Sequence, residues 1–174
     1  MTPSLPRLAT ALLGGALLLA ACGGSDAPAD ESAAGGDAPA ATESLTGDVA
    51  VGATKYGQVC ASCHMADGNG TPGVFPPLAG SEWATSAEVK VPISIVLHGL
   101  QGPMTVKGAN YDGLMQPWGM IPDADIAAIL TYVRSSWGNS ASAVTPEQVA
   151  EVRAAEGARA AWTADELRAK YPGL

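Results

Sequence analysis

Large aromatic side chains are scarce in this chain: Phe, Trp and Tyr make up 5% of its 174 residues, with a single Phe. A core built without them buries little apolar area per residue, and small domains of that kind often lean on a metal or cofactor. Cysteine is scarce too, and three residues cannot build a multi-bridge disulfide scaffold. Histidine occurs only as His64 and His98. Lysine and arginine total nine and form no cluster, and the isoelectric point is near 4.5, so no nucleic-acid partner is expected. No phosphate-binding glycine loop and no nucleophile–base pairing is present, and nothing marks a pocket for a small-molecule substrate.

What is present begins with an address. Residues 1–21 have the layout of an export signal, with Arg7 ahead of the apolar run Leu8 to Ala21. That run is shorter than the roughly 20 apolar residues that span a bilayer. It ends in Leu19-Ala20-Ala21-Cys22, which resembles the lipobox of bacterial lipoproteins, so Cys22 is expected to be acylated and to anchor the chain to a lipid membrane. Residues 22–47 are rich in Gly, Ala, Ser, Pro and acid, and are expected to form a disordered tether. The folded part is expected to start at Asp48.

The chemistry concentrates in Cys60-Ala61-Ser62-Cys63-His64. Two cysteines three positions apart sit on one helical turn and can bond the two vinyl groups at a porphyrin edge. The histidine that follows then lies under the metal. A tetrahedral zinc site would need four ligands, usually as two closely spaced pairs, and His98 stands alone. A redox dithiol would want a surrounding βαβ pattern, which is missing. The favoured cofactor is one covalent haem, with iron bound by His64.

The likeness is wider than the pentapeptide. Lys55 to His64, followed by Phe75-Pro76-Pro77-Leu78-Ala79-Gly80-Ser81, resembles the small monohaem cytochromes c, and Ile126 to Arg134 resembles their C-terminal helix. The resemblance spans residues 48–140 and is close to cytochromes attached to periplasmic dehydrogenases, nitrite reductases and terminal oxidases. It implies an all-α cytochrome c fold, a few helices around one haem c, and a methionine as second axial ligand. Met104, Met115, Met120 and His98 are the candidates by position. The family carries its methionine in a loop shortly before the last helix, where Gly113-Leu114-Met115-Gln116-Pro117 stands, so the resemblance favours Met115. Met120 reads as a hydrophobic staple at the start of the next helix, and His98 as a helix-end residue. Pro76 or Pro77 is expected to help orient His64. Trp83, Tyr111 and Trp118 are expected to pack in the pocket.

Apolar spacing predicts a helix over 49–62, one over 86–97 limited by Pro92, and one over 124–137 with Asp123 as its N-cap. Residues 65–85 and 99–122 are predicted loops. Residues 141–174 form an extension with two capping-box signals, Thr145-Pro146-Glu147-Gln148 and Thr163-Ala164-Asp165-Glu166, which predict two short helices packed through Val149, Val152, Trp162 and Leu167. The expectation for the whole is a periplasmic electron carrier, not an enzyme, that exchanges electrons with redox protein partners. The other expectation is a tethered haem relay subunit of a dehydrogenase, reductase or oxidase complex.

Overall fold

The computed structural model describes residues 40–174, with side chains from Asp48 onward. The expected export signal, Cys22 and the tether as far as residue 39 lie outside the described residues. Helix α1 runs Ala40–Val59, so it begins inside the segment expected to be a tether. Ala40, Ala41 and Glu43 are good helix formers, and they extend the turn that Asp48 was expected to start. At Cys60 the chain leaves α1, and a single turn, α2 (Ala61–His64), carries the rest of the motif. Two bonds hold that corner: Cys60 N–H to the Tyr56 carbonyl at 2.8 Å, and His64 N–H to the Cys60 carbonyl at 3.0 Å.

Helix α3 spans Lys90–His98. Pro92 lies in its first turn, where a missing N–H leaves no bond unmade, so it shortens the helix without breaking it. Helix α4 is Asp123–Ser135, with Pro122 at the N-cap and no side-chain cap. Asp123 therefore does not cap as expected; its carboxylate accepts from Arg153 Nε at 2.8 Å instead. The same guanidinium donates to the carbonyls of Gly119 and Ile121, which ties the helix entrance to the C-terminal extension. Met120 is 76% exposed and staples nothing, whereas Ile121 packs on the core. The helix also stops two residues short of Trp137, which has φ +54°.

Between α3 and α4 lies the main departure from the all-α expectation. Strands β1 (Leu100–Val106) and β2 (Ala109–Met115) form an antiparallel hairpin where a loop was expected. Its two-residue turn is Lys107-Gly108, both at positive φ, as a type I′ turn requires. Lysine in place of Asn or Asp at the first position, with Gly102 and Gly113 inside the strands, hides the hairpin from a pattern of β-branched residues.

The extension folds as its capping boxes predict. Helix α5 (Pro146–Glu156) and helix α6 (Ala164–Lys170) each have a complete box, Thr145 with Gln148 and Thr163 with Glu166. Val149, Val152, Trp162 and Leu167 are all buried. Between the two helices Trp162 runs alongside β1, accepting from Gln101 N–H at 2.8 Å and donating to the Gly99 carbonyl at 3.0 Å.

Three apolar clusters result. One joins the hairpin to α6 through Leu100, Val106, Trp162 and Leu167. A second joins α3, α4 and α5 through Ile93, Ile126, Leu130 and Val149. The third joins α1 to α4 through Tyr56, Ile129 and Val133. In that last contact Gly52 is buried, and a Cβ there would overlap the backbone of Ala128. Glycine is what lets the two helices cross so closely. Among the described residues no helix is long and apolar enough to cross a membrane.

Candidate functional site

The two turns of the motif, the loop after it, α3, the hairpin and α4 enclose a cavity of about 600 Å³. Cofactor pockets commonly lie between roughly 300 and 1,000 Å³. Its wall is mainly aliphatic, with Val59, Leu78, Ile95, Val96, Leu130 and Val133 among the lining residues. Asp112 is the one carboxylate on that wall.

Cys60, Cys63 and His64 all line this cavity. Both thiols are free and half-buried. Burial, with the neighbouring Cys63, pushes the Cys60 thiol up to about 11. His64 is 9% exposed, and its Nδ1 lies 2.9 Å from the Pro76 carbonyl oxygen. Burial holds the imidazole below its ordinary pKa, against the opposing effect of that hydrogen bond. The ring is therefore neutral, with Nδ1–H donating to Pro76, and its Nε2 lone pair is left free as a metal ligand. Pro76 thus orients His64 through its backbone oxygen.

That loop is itself anchored. Gly68 accepts from the N–H groups of Leu78 (2.7 Å) and Ala79 (3.0 Å). Asn139 ties the same stretch to the end of α4: its side-chain amide donates to the carbonyls of Leu78 (3.1 Å) and Val133 (2.7 Å), and its oxygen accepts from Gly80 N–H at 2.8 Å. No local signal in the sequence marks the long reach of Asn139. Tyr56 donates to the Met65 carbonyl at 2.7 Å and so fixes the turn that follows His64.

On the hairpin side the four ligand candidates separate. Met104 and Met115 both line the cavity; Met120 and His98 do not. Met120 is turned to solvent. His98 is buried at the end of α3, with Nε2 3.1 Å from Glu156 Oε2 of the extension. Trp83, Tyr111 and Trp118 line the cavity, and the Trp83 indole N–H is committed to the Thr105 carbonyl at 2.9 Å.

Two free thiols, an imidazole with one nitrogen available and two thioethers thus share one apolar cavity. That donor set fits a covalently held porphyrin with nitrogen and sulfur axial ligands. It does not fit structural zinc, because His98, the fourth donor such a site would need, is turned away toward Glu156.

Comparison with known proteins agrees with this geometry. The family model described as cytochrome c matches residues 49–137. Cytochrome c-552 of Thermus thermophilus is 39% identical over 111 residues, a match covering 59% of this chain and 84% of the relative. The fructose dehydrogenase cytochrome subunit of Gluconobacter japonicus is 34% identical over 109 residues, which is 59% of this chain but only 22% of that protein. The gluconate 2-dehydrogenase cytochrome c subunit of Pantoea cypripedii is 34% identical over 119 residues, 65% of this chain and 26% of the relative.

Proposed function

This chain belongs to the cytochrome c family, whose c-type haem is covalently bound, and from that premise we propose that it is a one-haem electron carrier of the periplasm with His64 and Met115 as axial ligands. The observation that carries the reading is the single apolar cavity on which Cys60, Cys63, His64 and Met115 converge. When bound there, the haem supplies a one-electron redox couple.

The chain's own residues supply the rest. Cys60 and Cys63 would hold the haem covalently through their thiols. His64 is kept neutral by burial and correctly turned by the Pro76 carbonyl. Met115, at the end of β2, would supply a sulfur ligand, which favours the reduced state more than a second imidazole would. The aliphatic wall excludes water and adds to that preference. With His64 and Met115 both committed to the haem, the site would transfer electrons and leave no position for a substrate. His98, the one histidine besides His64, lies off the cavity wall beside Glu156 and would not serve as an acid–base group over the iron.

Cys22, placed after an export signal, would carry the lipid that keeps the domain at the membrane, with the acidic segment up to α1 as its leash. A second reading, a tethered relay subunit of a dehydrogenase complex, draws support from the relatives named as dehydrogenase cytochrome subunits. Co-purification of a dehydrogenase with the native protein would favour it; isolation of the protein alone would favour the free carrier.

The optical spectrum of the haem-matured protein tests the main reading. Sharp reduced bands, together with the weak far-red sulfur-to-iron band of the oxidised form, are expected. A haem spectrum lacking the far-red band would remove methionine from the site, and a protein that takes up no haem would remove the function.

A further inference from the structure

Gly102 and Gly113 are directly paired across the hairpin, and both line the cavity. The pairs on either side of them, Leu100 with Met115 and Met104 with Tyr111, line it as well. On β1 the intervening Gln101 and Pro103 are exposed and do not line it, whereas on β2 the intervening Asp112 and Leu114 border it too. The face shared by the three pairs reads large, small, large, with a bare backbone patch between the two methionine-bearing pairs.

Glycine inside a strand weakens it, so two at one register position call for a reason. Backbone conformation supplies one for Gly102, at φ +76°, but Gly113 has no positive φ. Packing supplies none for either, since a Cβ built on Gly102 or Gly113 meets no protein atom within 4 Å. Gly99, at the start of the same hairpin, is different, because a Cβ there would overlap the Met115 carbonyl. Neither conformation nor protein packing requires glycine at 113; the residue is exposed, and what it borders in step with Tyr111 and Met115 is the cavity.

We propose that Gly113, with Gly102 opposite it, is a positioning residue: the pair forms a side-chain-free window on which the plane of the haem rests, and its flatness sets how closely the hairpin brings its axial sulfur to the iron. The proposal rests on the haem reading of the cavity and adds to it a determinant that is not itself a ligand. A methyl or isopropyl group at 113 would stand between the hairpin and the porphyrin and lift the strand that carries Met115. Attachment through Cys60 and Cys63, on the other side of the cavity, would be left alone.

The test compares haem-matured wild type, Gly113→Ala and Gly113→Val, with Gly57→Ala as control. Gly57 is exposed on α1, and a Cβ there meets nothing within 4 Å. Covalent haem is quantified first, and its absence from the wild type would overturn the reading of the cavity and this proposal together. With haem attached in all four, the far-red band is expected to weaken in Gly113→Ala and to vanish in Gly113→Val. The reduced valine variant should bind carbon monoxide, and the reduction potential should fall in the order wild type, alanine, valine. The alanine variant keeps the test open if valine prevents folding, and the Soret position and potential report the effect whichever methionine is the ligand. If Gly113→Ala and every folded Gly113→Val sample match wild type and Gly57→Ala in all these properties, the window is overturned while the haem reading stands.

Discussion

Asn139 and Leu78, 61 positions apart in the chain, are joined by a 3.1 Å hydrogen bond from the asparagine amide to the leucine carbonyl. Through it the end of α4 holds the loop whose Pro76 carbonyl orients His64. The imidazole proposed to bind iron is therefore set by a residue outside the motif, far along the chain and invisible in its spacing.

Replacing Asn139 with Ala should destabilise the protein by about 3 kcal/mol, because two carbonyls and the Gly80 N–H lose their partner together in a part-buried site. Urea denaturation of the haem-loaded form measures this. A loss below about 1 kcal/mol would mean that water replaces the side chain and that the tie is incidental.

The two methionines on the cavity wall should respond differently. Met115→Ala is expected to abolish the far-red band, to admit carbon monoxide to the reduced protein and to lower the potential. Met104→Ala should leave all three in place. The reverse pattern would assign the sulfur ligand to Met104.

Leu167 of α6 is fully buried in the cluster it shares with Leu100, Val106 and Tyr111 of the hairpin. Leu167→Ala should cost about 3 kcal/mol, the middle of the range for such truncations. If the extension holds the hairpin in place, the same variant should also bind carbon monoxide faster when reduced. A stability loss with unchanged ligand access would make the extension a stabilising cover only.

Acid should loosen the extension through Glu156, whose side chain is 2% exposed. Burial disfavours its charge, but hydrogen bonds from Lys170 (2.5 Å) and Ser94 (2.8 Å) and nearby positive charge outweigh this and hold the carboxyl below its usual range. His98 beside it is held below the usual histidine value, first by burial and against the pull of Glu156. Both groups bind fewer protons folded than unfolded, so their contribution is present at neutral pH. It fades on acidification, the histidine share first and the carboxylate share as pH falls through the folded pKa of Glu156. Glu156→Gln should melt well below wild type at pH 7, by an amount on the order of 2 kcal/mol, and the gap should narrow below about pH 4.5. A gap independent of pH would sink this account.

The legible parts of this protein are those whose partners lie within a few residues. Cys60, Cys63 and His64 declare themselves by spacing, and the boxes at Thr145 and Thr163 predict their helices because each satisfies its own first turn. The hairpin escapes because its turn is Lys107-Gly108 and its strands carry Gly102 and Gly113 in place of branched side chains. Asp123 has the look of a cap, yet Arg153, 30 residues on, competes for its carboxylate. His98 reads as a candidate ligand until Glu156 is seen 3.1 Å away. In each of these the decisive neighbour is distant in sequence, and local chemistry alone offers two outcomes of similar energy.

The close crossing at Gly52 also has a consequence in time. Helix α1, which leads into Cys60, rests on α4, and the residues it meets, Ala128 and Tyr132, come some seventy to eighty positions later in the chain. Contacts so far apart in sequence form late, because a long loop must close before they give any return. A growing chain therefore presents both thiols on an unsupported stretch until α4 has emerged. During that interval they are open to bond formation, and once α4 arrives the same step that seats α1 leaves them half-buried on the cavity wall.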